Sequence, residues 1–118
     1  CAPRVFAWAE FHQPSISTFS IVARDLKTGE IGVAVQSKFV AVGSVFPYAR
    51  AGGGAVASQA GGNPRYGPIG LELLAHGKSA DEGVGLITAS DPNPEYRQLA
   101  IIGNDGNASM FTGREWMK

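Results

Sequence analysis

The sequence holds a single cysteine, Cys1, which excludes an intrachain disulfide and a cysteine-rich zinc site and leaves the redox compartment open. It has no surplus of either charge, since ten basic and ten acidic side chains cancel over 118 residues. Nothing therefore argues for a nucleic-acid partner or an anionic membrane. Long apolar runs are missing as well. The best, "FVAVGSVF" at 39–46, lies between Lys38 and Pro47 and falls far short of the ~20 residues of a membrane span. Near the start of the chain, Glu10 and His12 interrupt any signal-peptide core. His12, His76 and the scattered carboxylates show no metal-ligand spacing, so neither a metal nor another cofactor is expected.

What is present reads as one globular domain of ordinary size: 44% of residues are hydrophobic and 17% charged. Glycine is abundant, 16 in 118 or about 14%, roughly twice its usual share. That predicts tight turns and close backbone approaches.

Residues 1–17, with Pro3 and Pro14, form an irregular N-terminal extension. From Thr18 the pattern sharpens. "TFSIVAR" alternates with period two, "DLKTGE" is a turn by composition, and "IGVAVQSK" returns as a second strand. Both strands are apolar on both faces, which predicts a hairpin covered on two sides. Short strands are expected at 43–49 and 54–60. "GPIGLELLAHGK" reads as a helix ending at Gly77, with Leu71, Leu74 and Ala75 on one face. Ser79 and Glu82 have capping-box spacing at the head of a second helix. "DPNPE" breaks the chain, and "YRQLAIIGNDGNASMFTG" reads as a second hairpin. Strands, two helices, then strands predict an α+β layered fold rather than alternating βαβ units.

The segments "TFSIVARD", "GVAVQSKF", "AVGS", "NPRYGPIGL" and "GKSADE", followed by "RQLAIIGNDGNASMFTG", occur in one order from Thr18 to about Gly113. In these motifs the sequence resembles the bacterial family called domain of unknown function 1028, grouped with the N-terminal-nucleophile (Ntn) hydrolases. The resemblance implies a partial Ntn-hydrolase-like αββα sandwich over 18–118, with two hairpins and a helical pair. It also implies members that open close to "TFSIVA" or carry a secretion signal before it, and that run on for roughly another hundred residues. On that comparison, 18–118 corresponds to the first part of the family fold.

By resemblance, Thr18 is the nucleophile and its own α-amine the general base. A threonine hydroxyl needs such a base, and a free α-amine with a pKa of about 7.7–8.0 suits neutral pH. A peptide nitrogen cannot serve, because its lone pair is delocalised into the carbonyl. Thr18 therefore acts only once the Ser17–Thr18 bond is cut. Taken without the family, Thr18 is an ordinary β-branched strand residue. Cys1, with Pro3 close behind and no strand to support it, is read as incidental.

Ser37 and Lys38 close the second strand, where the resemblance places polar residues beside the nucleophile. Lys38 would lower the amine's pKa by like-charge repulsion, or is simply a solvated strand end. Ser37 would orient a proton or a water. "ASQAGGN" offers backbone donors at Gln59, Ala60 and Gly61 for an oxyanion, or is a plain turn. Asn63 and Arg65 either bind a polar or anionic substrate or cap the next helix. His76 closes its helix, where a cation complements the dipole.

Two functions are consistent with these residues. One is an Ntn-type amidohydrolase acting on a small amide or peptide-like substrate and inactive while residues 1–17 remain attached. The other is a truncated, non-catalytic binding or assembly module. In either case exposed sheet surfaces predict a homodimer or higher homo-oligomer.

Overall fold

The computed structural model describes residues 18–37, 47–59 and 63–115. Among them the chain runs β1 (Thr18–Arg24), β2 (Ile31–Ser37), β3 (Pro47–Arg50), β4 (Gly54–Gln59), α1 (Tyr66–Ala75), α2 (Ala80–Ser90), a 3₁₀ turn (Pro94–Tyr96), β5 (Gln98–Gly103) and β6 (Ala108–Thr112). The α+β class expected from the strand–helix–strand order is the observed one. Of the two shorter strands, 43–46 lies outside the described residues, and β3 and β4 are the described parts.

β1 and β2 form an antiparallel hairpin, in register from Thr18 opposite Ser37 to Arg24 opposite Ile31. Its turn is closed by Asp25. The backbone N–H groups of Lys27 and Thr28 donate to Asp25 Oδ1 at 2.7 and 3.1 Å, an Asx turn that satisfies amides the ladder cannot reach. The second sheet is antiparallel throughout, in the order β3-β4-β5-β6. Three layers result, because the two faces of that sheet are covered by different elements.

One face carries the helices. Val56, Leu99 and Ile101 project toward Tyr66, Leu71, Ala80, Val84 and Ile87 in a single buried cluster, with Tyr48 and Phe111 at its margin. Gly70 lets α1 approach β4 closely: a Cβ there would lie 2.8 Å from Val56 Cγ2. α1 ends as a Schellman motif, with Gly77 at φ +82°, its N–H donating to Leu74 O and the Lys78 N–H to Leu73 O. That stop matches the sequence expectation. Of the expected face, Leu71 is buried and Leu74 packs against the core, whereas Ala75 is exposed and Tyr66, Gly67 and Gly70 complete the packed side. α2 begins as expected, with Ser79 Oγ accepting the Glu82 N–H at 3.1 Å.

The hairpin covers the other face. β1 lies against β4 and β5, and β2 against β3 and β4. Its half-buried set, Val22, Arg24, Ile31, Val33 and Val35, alternates with an exposed set that includes Phe19 (65% exposed) and Ile21 (52%). Expected to be covered on two sides, the hairpin is covered on one by the described residues. Apolar composition on both strand faces does not by itself supply a second layer.

Candidate functional site

The strands bring several sequence-predicted residues to one end of the sandwich. Thr18 starts β1 and pairs with Ser37, the last residue of β2. Gln59 ends β4 and pairs with Gln98, the first residue of β5. The two ends meet across a cavity of about 300 Å³ lined by Phe19, Ser20, Gln59, Gln98, Ala100 and Met110. Period-two alternation explains the membership. Ala57 and Gln59 on β4, Gln98 and Ala100 on β5 and Met110 on β6 share the face turned to the hairpin, opposite the helices. Because Ala57 and Ala100 are small, the hairpin and sheet leave space between them.

The polar chemistry of this cavity is unusual. Gln59 is only 6% exposed, yet its Oε1 has no hydrogen-bond partner. Gln98 Oε1 is likewise buried and unpaired, while its Nε2 donates to Thr112 Oγ1 at 3.1 Å. Buried polar atoms are almost always paired, so two orphaned acceptors on neighbouring strand positions call for an explanation. Among the described residues no charged side chain lines this space.

The other predicted residues are placed differently. Asn63 Oδ1 accepts the Arg65 N–H at 3.0 Å and Asn63 O accepts the Tyr66 N–H at 3.0 Å, so Asn63 shapes the entry to α1. Arg65 is exposed at that helix start. Neither lines the cavity. Lys38, Ala60 and Gly61 lie outside the described residues. Ser37 is half-buried opposite Thr18.

Sequence reasoning missed Gln98, although an antiparallel register between the "ASQ" and "RQL" segments would have paired the two glutamines. It also missed a buried tie beside the helices. The Tyr66 hydroxyl donates to Asp91 Oδ2, the Arg97 Nε–H donates to the same oxygen at 3.2 Å, and the Asn93 N–H donates to Oδ1 at 2.8 Å. Burial pushes the Asp91 carboxyl up, but the Tyr66 hydroxyl, the Asn93 amide and the Arg97 guanidinium outweigh it and hold its pKa below the ordinary carboxylate value. Burial pushes the Tyr66 hydroxyl up, and the adjacent carboxylate pushes it further. Every partner here is protein, so the cluster locks α1, the end of α2 and the start of β5 together. No group of three His, Cys, Asp or Glu side chains among the described residues stands close enough to hold a metal. No helix among them is long and apolar enough to cross a membrane.

No curated protein matches the chain. Among solved structures it is similar to the crystal structure of protein SPO2555 from Silicibacter pomeroyi, with 36% identity and a TM-score of 0.80. The match covers 86% of this chain and 46% of that one, so the chain spans a little under half the length of its relative. Residues 18–118 match the family of unknown function DUF1028, to which the Silicibacter protein is also assigned. The chain belongs to that family.

Proposed function

We propose that the Thr18 end of the sandwich is the site of an Ntn-type amidohydrolase, latent until the Ser17–Thr18 bond is cleaved. The observation that carries the reading is that Phe19 and Ser20, the residues next to Thr18 in β1, and the Gln59–Gln98 pair line one cavity. Once the α-amine is free, it takes the hydroxyl proton as Thr18 Oγ attacks the substrate's amide carbon. Backbone N–H groups near Gln59, Ala60 and Gly61 stabilise the oxyanion, a contribution of ~3 kcal/mol per donor. The C–N bond then breaks, the proton passes to the leaving amine, and water hydrolyses the acyl-threonine ester. Lys38 lowers the amine's pKa by like-charge repulsion, and Ser37 orients a proton or the water.

The test compares hydrolysis of a panel of small amides by the intact chain, by a chain beginning at Thr18, and by Thr18→Ala and Thr18→Ser in that shorter form. The intact chain is expected to be inert. The trimmed chain is expected to turn over, Thr18→Ala to abolish the activity and Thr18→Ser to keep part of it. Equal rates for intact and trimmed chains would remove Thr18 as an N-terminal nucleophile.

A second reading, a non-catalytic binding or assembly module, draws support from the exposed outer face of the hairpin, where Phe19 and Ile21 stand uncovered. On this reading the chain self-associates as a homodimer or larger assembly.

A further inference from the structure

The cleft between the β3–β4 turn and the head of α2, about 590 Å³, carries both signs of charge. Its cations are already engaged, Arg50 with Glu72 at 3.4 Å and Lys78 with Glu82 at 3.7 Å, so it points to no one class of ligand. The cavity of about 300 Å³ at the Thr18 end is more informative, because its shape can be traced to particular residues.

By period-two alternation, Gln98, Ala100 and Ile102 of β5 share the face turned to the hairpin. Ile102 is 7% exposed and fills its place on that face. Two residues back, Ala100 does not. It is half-buried, pairs with Ala57 on β4 and with Met110 on β6, and leaves the middle of that row open. The unpaired oxygens of Gln59 and Gln98 have almost no accessible surface, so a guest meets Phe19, Ala100 and Met110, with Ser20 beside them.

We propose that this cavity is a subsite for a compact apolar group, and that Ala100 sets its size. The inference deepens the proposed function: the group is the acyl part of the amide cleaved at Thr18, and only that assignment rests on the Thr18 reading. Position supports the link, since Phe19 and Ser20 follow Thr18 directly in β1. Volume sets the scale. A cavity of about 150 Å³ accommodates benzene. Twice that space accommodates one ring with a short substituent, or a branched aliphatic chain of similar bulk.

Ala100→Leu puts the missing bulk back. A side chain of that size already stands on this face at Ile102, so the variant is expected to fold with its Tm unchanged or raised, as in other cavity-filling substitutions. The new side chain then takes the place of the guest. A merely apolar surface would respond in the opposite sense, because added apolar area strengthens adsorption.

The experiment titrates the intact 1–118 chain with benzyl alcohol and reads backbone amide resonances by NMR. Wild type is expected to show saturable shifts at Phe19, Ser20, Ala100 and Met110. Ala100→Leu should weaken that binding by about tenfold or more. Absence of saturable shifts at these residues in wild type, or undiminished binding by folded Ala100→Leu, would overturn the proposal. If Ala100→Leu fails to fold, Ala100→Val carries the same test with a smaller side chain and an expected loss of about threefold. A chain beginning at Thr18 separates the two readings. Its preference for phenylacetamide over acetamide should fall by about tenfold in Ala100→Leu. Binding by the intact chain with no cleavage by the trimmed one would sink only the nucleophile reading. Cleavage whose preference ignores Ala100→Leu would sink only this one.

Discussion

On the helical side of the four-stranded sheet, Val56, Leu99 and Ile101 are sealed beneath Ile87. On the opposite side, one residue along the same strands, Ala57, Ala100, Gln59 and Gln98 lie under a hairpin that leaves Met110 of β6 uncovered. The two faces share a backbone, a register and a set of ladder hydrogen bonds. They differ in what covers them and in what the alternate side chains do. Large β-branched residues and leucine fill the helical face, and Asp91, the buried carboxylate there among the described residues, is fully paired. Alanines leave room on the hairpin face, and its glutamines keep acceptors unpaired. Folding free energy resides on the first face. The space left between layers lies on the second.

The largest effect that tests this division is at the helical core. Ile101→Ala should cost about 3–4 kcal/mol, because the fixed surroundings of a buried isoleucine collapse only partly into the void. In thermal unfolding that is a fall of roughly 10 °C or more. Met110→Ala, on the other face, should cost no more than about 0.5 kcal/mol. Comparable losses from the two variants would show that the faces contribute alike and break the contrast.

Next in size is the buried tie. The Asp91 side chain is 1% exposed, so Asp91→Ala should cost about 3 kcal/mol by leaving Arg97 and the Tyr66 hydroxyl without their acceptor. The pH dependence has a definite sign. Since the folded protein holds the Asp91 carboxyl below its ordinary value, the associated stability is complete above about pH 4 and is lost as pH falls through the folded value. Exposed Asp25 and Asp105 are lowered too, Asp25 by the Thr28 and Lys27 amides and Asp105 by the Asn107 amide, and titrate in the same direction. The informative quantity is therefore the difference from Asp91→Asn. Chemical denaturation from pH 7 to 3 should show wild type losing more stability than that variant. Parallel curves would mean that Asp91 titrates as it does in the unfolded chain.

Local chemistry made much of this architecture legible in advance. The turn at Asp25, the stop at Gly77 and the cap at Ser79 are each determined by residues within one turn of one another, and all three occur where the sequence indicates. The site was legible only in part. Thr18 and Ser37 can be paired from hairpin symmetry, but the meeting of Phe19 and Ser20 with Gln59 and Gln98 around one cavity depends on how one sheet lies on another. The Tyr66–Asp91–Arg97 tie joins positions 25 and 6 residues apart through a helix packing that no short pattern encodes. The outer face of the hairpin misled for a related reason. Phe19, Ile21, Ala23 and Ala34 read as buried by composition, whereas burial requires a covering layer.

That outer face supplies the smallest expected change in folding stability and the sharpest test of association. Ile21 is exposed, so Ile21→Ser removes little packing from the folded protomer and should alter its unfolding free energy by no more than about 0.5 kcal/mol. If the face is where copies of the chain meet, the same change exposes a hydroxyl to a surface that needs apolar contact, and the assembly should weaken while the fold persists. Sedimentation velocity at micromolar concentration reads this directly, with wild type expected as a dimer or larger and Ile21→Ser shifted toward monomer. A monomeric wild type would remove self-association as the reason for the apolar surface. A stability loss well above about 1 kcal/mol in a monomeric variant would show instead that Ile21 packs within its own protomer, and the contrast between the filled helical face and the open hairpin side would have to be redrawn around β1.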